Sequence, residues 1–240
     1  MPNRLSAEFP GYAILEAPSV TEQWKGAPLT LDNETSATAA STPNGSTIFV
    51  YQNMATMNNA GSLLLTFGSE SLPLTAPALS GQALVYIRNW QGGSLKVTNT
   101  SPGQGTPIRI QLMGPGMPGV TPATLLAGGP PIALVPGTCA QGNAVPRWMQ
   151  LVLENGSGDQ SIIALIGGPT DSSGNNAYLF GINFTSDTGP PPAVPPPDGY
   201  YATSSKINYN FQFNWGSSVL FCANVSGNTA SDTAVVLRRL

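Results

Sequence analysis

The residues best suited to recognition chemistry are two Asn-Trp pairs, Asn89-Trp90 and Asn214-Trp215. An indole offers a flat apolar face on which a sugar ring can stack, and a carboxamide offers a donor and an acceptor beside it. The competing role is mechanical: a tryptophan at a strand end can anchor a core or an edge. These four residues are therefore ligand-binding or module-anchor positions, and the fold must decide between the two. Trp24 and Trp148 pose the same choice.

Catalytic chemistry is harder to assemble. The chain has no histidine, so it lacks the commonest general base, the commonest zinc ligand and the usual partner of a serine or cysteine nucleophile. Cys139 and Cys222 have no metal-ligand spacing and make no disulfide framework. Two buried thiols are expected, with a single disulfide as the alternative. Glycoside hydrolysis needs only two carboxylates across a cleft. Yet Asp32, Glu34, Glu70, Asp159, Asp171, Asp187, Asp198 and Asp232 all sit in turn-like contexts, and no pair stands out. Asp171-Ser172-Ser173-Gly174-Asn175-Asn176 and the stretch from Glu154 to Asp159 carry oxygen ligands of the kind calcium accepts. Neither has the EF-hand spacing, and hairpin turns use the same residues for backbone reasons. No phosphate-binding loop or dinucleotide fingerprint is present. The sequence is thus expected to be no enzyme, with no catalytic residue, cofactor or metal site.

Composition narrows the partners. Hydrophobic residues make up 41% of the 240 residues, enough for a substantial core, whereas charged residues make up only 9% against about a quarter in ordinary domains. Polarity comes instead from Ser, Thr, Asn, Gln and Gly. A sparsely charged surface is suited to being covered by other subunits, or to presenting amides and hydroxyls to a neutral glycan. Net charge is −3, and the basic residues are scattered apart from Arg238-Arg239, so direct nucleic-acid binding is not expected. No apolar run is long enough for a transmembrane segment. The opening Met1-Pro2-Asn3-Arg4-Leu5-Ser6 has no apolar stretch of a secretory leader, so cytoplasmic synthesis is expected. Six Asn-X-Ser/Thr triplets, beginning at Asn33, Asn44, Asn99, Asn155, Asn183 and Asn224, read as accidents of an Asn/Ser/Thr-rich chain.

The elements that position these residues are strands. Apolar segments are short and mostly alternate, as in Ile207-Asn208-Tyr209-Asn210-Phe211-Gln212-Phe213-Asn214-Trp215. The continuous runs Leu63–Phe67 and Ile162–Ile166 read as central strands buried on both faces. With 27 glycines and 23 prolines, long helices are excluded. One helical turn is expected at Ser19–Lys25, with Ser19 as cap and Glu22 closing a capping box.

The same segments recur in the same order. The stretch Asn89–Ser101 matches Asn214–Ser226, Gly61–Gly68 matches Gln160–Gly167, Phe49–Asn53 matches Leu151–Asn155, and Gly26–Leu31 matches Gly129–Leu134. Repeats of this kind set the whole fold. The expected architecture is all-β: two tandem β-sandwich modules, jelly-roll-like or Ig-like, from an internal duplication. They occupy residues 10–113 and 117–240, joined by the linker-like Met113-Gly114-Pro115-Gly116-Met117-Pro118-Gly119. The offset between copies is nearly constant up to Gly167 and larger from Asn214 on, which places a Pro-rich insertion, residues 185–201, in the second copy. In it Pro190, Pro191, Pro192, Val194, Pro195, Pro196 and Pro197 favour an extended polyproline path ending at Tyr200 and Tyr201. Such a segment is expected to be an assembly arm docking on a neighbouring subunit.

Three functions fit this reading. The first is a non-enzymatic, self-assembling structural subunit of a particle coat, virion or surface lattice, existing as a homo-oligomer or lattice. The second is a duplicated lectin-like protein with one glycan site per copy. The third is a membrane-active β toxin.

Overall fold

The structure is a computed structural model. It describes residues 19–21, 24–54, 61–76, 83–102, 106–155, 161–184, 201–204, 208–227 and 232–240. The chain is all-β, and among the described residues there is no helix.

In the first half, β1 (Ser19–Thr21), β2 (Leu29–Leu31), β3 (Ser36–Asn53), β4 (Gly61–Phe67), β5 (Glu70–Ala76), β6 (Leu84–Asn99) and β7 (Ile108–Met113) form a hydrogen-bonded array in the order β2-β7-β3-β6-β4-β5, with β1 parallel to β3. The strands β3 and β6 are long enough to serve two layers. The start of β3 pairs with the end of β6, beside β4, whereas the rest of β3 pairs with the start of β6 and with β7. The bend falls at a register shift between Ala39 and Thr42, opposite Gly92-Gly93. Gly92 sits at φ 65°, and a Cβ there would lie 2.6 Å from the Asn44 Oδ1, so the bend requires glycine.

The second half comprises β8 (Ala123–Thr124), β9 (Ile132–Leu134), β10 (Cys139–Val145), β11 (Trp148–Asn155), β12 (Ser161–Thr170), β13 (Asn176–Phe184), β14 (Tyr201–Ser204), β15 (Asn208–Asn214), β16 (Ser218–Asn224) and β17 (Thr233–Arg239). These make two separate sheets, β14-β13-β12-β16-β10-β8 and β15-β11-β17-β9. Where β3 runs through, Ala144 at φ 51° and Pro146 divide β10 from β11. Where β6 runs through, Gly216 and Ser217, both at positive φ, divide β15 from β16. Positive φ at non-glycine Ala144 and Ser217 turns the chain out of the extended conformation a continuous ladder needs, so the same path is cut into shorter strands.

Every ladder of the first half has a counterpart in the second, which adds the parallel β13–β14 pair. The β2–β7, β3–β7, β4–β6 and β4–β5 ladders have counterparts in β9–β17, β11–β17, β12–β16 and β12–β13. The two parts of the β3–β6 ladder correspond to β11–β15 and β10–β16. Parallel β1–β3 corresponds to β8–β10, and even the isolated parallel bridge Lys25–Leu112 has a partner in Ala127–Leu237.

Each half closes on its own core. The first gathers Trp24, Phe49, Tyr51, Tyr86, Trp90, Val97 and Ile110. The second gathers Leu151, Leu165, Phe184, Phe211, Trp215 and Leu237. A third core joins the halves: Ile48, Val50, Val85, Ile87 and Met113 of the first meet Cys139, Ile162, Ala164, Ile166, Phe221 and Ala223 of the second. The outer face of β3-β6-β7 thus packs on the outer face of β10-β12-β16, giving four stacked layers of sheet. The join between halves is docked as well. Met117 is buried in the first core, and Val120 touches both the first and the third.

This stacking is head-to-tail, so corresponding faces differ in chemistry. Through the shared registers, Ile48, Val85, Ile87 and Met113 at the seam correspond to Gln150, Asn210, Gln212 and Arg238 on the far face of the second half. Ile162, Ile166, Phe221 and Ala223 correspond to Ser62, Thr66, Lys96 and Thr98 on the far face of the first. At these positions the covered face is apolar and the end faces are polar, as in capped repeat proteins, whereas Gln111 at the seam corresponds to buried Val236 on the far face.

Two sequence expectations change here. Residues 19–21 form a parallel edge strand rather than a helical turn; β-branched Val20 and Thr21 suit a strand, and ladder bonds to β3 outweigh a single capped turn. The run at Ile162–Ile166 is buried on both faces, but Leu64 and Thr66 in β4 are half-exposed, because β4 lies on an end layer of the stack and β12 at its centre. The seam is a strong contributor to stability. Phe221→Ala is expected to cost about 3–5 kcal/mol in a denaturant titration, and a loss below about 1 kcal/mol would show that the seam is not a close-packed core.

Candidate functional site

The Asn-Trp pairs lie at corresponding places, where the chain passes from one layer of a sandwich to the other. Trp90 is within β6, opposite Gly45. Trp215 lies between β15 and β16, its amide donating to the Arg147 carbonyl at 3.0 Å. Neither indole has exposed surface, so neither offers a face to a sugar ring. Trp90 is enclosed by Phe67, at 4.8 Å between centroids, and Tyr86. Trp215 is enclosed by Tyr178 and Phe213, at 5.9 and 5.5 Å. The enclosing rings come from different strands. In the first half Phe67 of β4 covers the indole, whereas in the second Gly167 and Gly168 of β12 leave room for Tyr178 of β13. A Cβ at Gly168 would fall 2.2 Å from the Tyr178 ring.

The asparagines of these pairs are half-buried and engaged. Asn89 Oδ1 accepts from the Ser46 hydroxyl, and Asn214 Oδ1 accepts from Arg147 Nε at 3.3 Å. Trp24 is also fully buried. Trp148 is 61% exposed, at the start of β11 opposite Asn214.

A repeated polar site does exist, but at other residues. Asn99 Nδ2 donates to the Leu31 and Thr106 carbonyls at 3.0 and 2.9 Å, and its Oδ1 accepts from the Ser101 amide at 3.0 Å. Asn224 Nδ2 donates to the Leu134 carbonyl at 2.8 Å, and its Oδ1 accepts from the Ser226 amide and hydroxyl. Ser101 Oγ and Ser226 Oγ then accept from the amides of Ser62 and Ile162 at 3.0 and 2.7 Å. Each network ties the end of one strand to two neighbours. Both asparagines have no exposed surface, so the networks are structural locks. The visible signal was the triplet Asn-X-Ser recurring at matching places in the two halves.

The remaining titratable groups are placed individually. Cys139 and Cys222 are free and buried, on neighbouring strands but in different cores. Burial pushes the Cys139 thiol up to about 11. It pushes Cys222 further, with the neighbouring Cys139 adding to the rise. Arg88 donates to Glu70 at 2.6 Å and lies over the Trp90 and Phe67 rings; that hydrogen bond holds the Glu70 carboxyl below its usual range. Asp171 Oδ1 accepts from the Asn175 and Ser173 amides, both at 2.9 Å, and Oδ2 from Asn175 Nδ2 at 3.1 Å. The backbone donor at Asn175 leads these in holding Asp171 below the usual carboxylate range. Its oxygens close a turn whose Gly174 carbonyl lies against Gly45 of the first half. Glu154 is paired with Arg238 at 3.4 Å. Among the described residues no group of three His, Cys, Asp or Glu side chains could hold a metal ion, and no helix is long and apolar enough to cross a membrane. At the seam, a cavity of about 90 Å³ is lined by Gln52, Arg109, Gln111, Gly137 and Val225, with Gln52 Nε2 reaching the Gly227 carbonyl at 3.4 Å. The expected arm, Pro190 to Tyr200, lies outside the described residues, and Tyr201 begins β14, parallel to β13.

No family model and no curated protein sequence matches the chain. Among solved structures it is similar to the CUB1-EGF-CUB2 domain of human MASP-1/3, at 9% identity, covering 88% of this chain and 99% of that one, with a TM-score of 0.23. The CUB1-EGF-CUB2 domains of rat MASP-1 match at 8% identity, 92% and 99% coverage, and a TM-score of 0.24. Likenesses this slight carry no argument about fold or function.

Two predictions follow from the site geometry. Trp215 Nε1 donates to the Met149 carbonyl at 2.8 Å, whereas Trp90 Nε1 has no partner among the described residues. Both Trp→Phe changes leave similar cavities, so Trp215→Phe is expected to be the more destabilising by about 1 kcal/mol in parallel urea titrations; equal losses would contradict the assigned bond. Asp171 should titrate by NMR below an ordinary aspartate. Its folded form binds the proton less tightly than the unfolded chain, so the turn's contribution is present above the unfolded value and is lost as pH falls through the folded midpoint. An ordinary midpoint would mean the turn bonds are not made in solution.

Proposed function

We propose that the protein is a non-enzymatic structural subunit that assembles with copies of itself. The observation that carries this reading is the apolar third core. Two-domain enzymes and binding proteins place their sites in the cleft between domains. Here that space is filled by Ile48, Ile87, Met113, Ile166 and Phe221, leaving a cavity of about 90 Å³. The result is a rigid block of stacked sheets with a sparsely charged surface, which suits a lattice or coat in which neighbours cover most of it. We also infer that the two sandwiches arose by duplication of one module, since the recurrence extends to both asparagine locks and to an isolated bridge.

Sedimentation velocity of the full chain tests the function. A large closed or lattice-forming assembly is expected. A chain that remains a monomer at high concentration would overturn the reading.

A further inference from the structure

The strongest unexplained surface is at one end of the β15-β11-β17-β9 sheet. Trp148 starts β11, and the neighbouring β17 ends in Arg238 and Arg239. Trp148, Leu126 and Leu240 are 61%, 61% and 65% exposed, among the most exposed large apolar side chains of the described residues. An open groove of about 590 Å³ runs beside them, lined by Ala127, Gly128, Gly129, Pro131 and residues 236–239. Arg238 and Arg239 line it, and Arg147 precedes Trp148 at the same end of the sheet; all three are exposed. Only Arg238 among them has a carboxylate partner in the described residues, and that contact is 3.4 Å and solvent-exposed. An exposed tryptophan that shares a sheet end with three arginines has the composition of an interface centre rather than of an idle surface.

The complementary surface is on the first half of the same chain. Among the described carboxylates, Glu70 and Glu154 are in ion pairs, Asp171 closes its turn and Asp232 is already engaged. Asp32 and Glu34 remain, both exposed, in the turn between β2 and β3. That turn is rigid: Glu34 N donates to the Asn99 carbonyl at 3.0 Å, and Thr35 N and Oγ1 donate to the Asp32 carbonyl at 3.1 and 2.7 Å. Glu34 sits at φ 60°, a conformation that costs a non-glycine residue. The corresponding position in the second half, donating to the Asn224 carbonyl at 2.8 Å, is Gly137. The first half therefore carries a carboxylate where the geometry favours glycine.

We propose that this end of the sheet, which presents Trp148, Arg147, Arg238 and Arg239, docks on the Asp32–Glu34 turn of a second copy of this chain. The contact is heterologous, so each copy keeps one donor and one acceptor surface, and repetition gives a ring or a filament. The proposal rests on the self-assembly reading above and specifies the surfaces it uses.

Charge reversal in trans tests it. Arg238→Glu/Arg239→Glu and Asp32→Lys/Glu34→Lys are each expected to sediment as single chains, because each places like charges together. Their equimolar mixture is expected to recover the wild-type assembly, since every junction between the two variants is complementary; recovery also shows that both variants fold. Trp148 is the exposed member of four tryptophans, so assembly should shift the wild-type emission to the blue, and Trp148→Phe should abolish that shift. If the wild type assembles but either double variant assembles equally well, or the mixture stays unassembled, the docking proposal fails. A wild type that is a single chain at every concentration overturns the assembly reading itself.

Discussion

The structure depends on one constraint: a sheet face in a stack must be apolar where another sheet covers it and polar where none does. The seam between β3-β6-β7 and β10-β12-β16 meets the first condition with Ile48, Ile87, Met113, Ile166 and Phe221. Because the seam joins unlike faces, it cannot be symmetric. At most of the positions in register, each half carries apolar residues on the outer face that is covered and polar residues at the matching places of the face that is not. The replacement of Met113 by Arg238 at corresponding positions is the clearest case. An arginine at the seam would be desolvated without a partner, and a methionine row on the far face would invite further stacking of the same kind.

This constraint explains what could and could not be read from the chain. Strand type was legible, because alternation in Ile207–Trp215 and the shortage of helix formers depend only on local pattern. Segment order was legible through the matched stretches. Which apolar run is buried twice was not. The runs at Leu63–Phe67 and Ile162–Ile166 look alike, yet one lies at an end of the stack and the other at its centre, and only the neighbour decides. The long β3 was hidden too. Pro43 and Gly45 inside it read as turn residues, whereas they lie at the bend where the strand leaves one layer for the other. The asparagine locks were in view as Asn99-Thr100-Ser101 and Asn224-Val225-Ser226, but an Asn-X-Ser triplet has no local property that separates a buried bracket from a surface accident. Burial, a tertiary quantity, makes that distinction.

The two tryptophan junctions meet the same packing demand with different neighbours. An indole fills each point where the sandwich changes layer, but Phe67 covers one and Tyr178 the other. The covering ring comes from β4 in the first half and from β13 in the second. Glycines at 167 and 168 make that exchange sterically feasible, and core packing tolerates substitutions that preserve total volume. The position of the tryptophan is therefore a better marker of the module than the identity of anything touching it.

Sparse charge gives the remaining charges more influence over orientation. A block whose end faces carry amides and hydroxyls has little to favour one neighbouring arrangement over another, since such groups hydrogen-bond in many registers. Charged groups discriminate strongly between arrangements, because like charges brought together are costly. With nine basic and twelve acidic residues in 240, grouping three arginines at one end of a sheet and two carboxylates in one turn places five of the twenty-one at two points. In the proposed assembly the exposed apolar residues near the arginines would supply burial, and the charges would decide which surface of the next copy provides it.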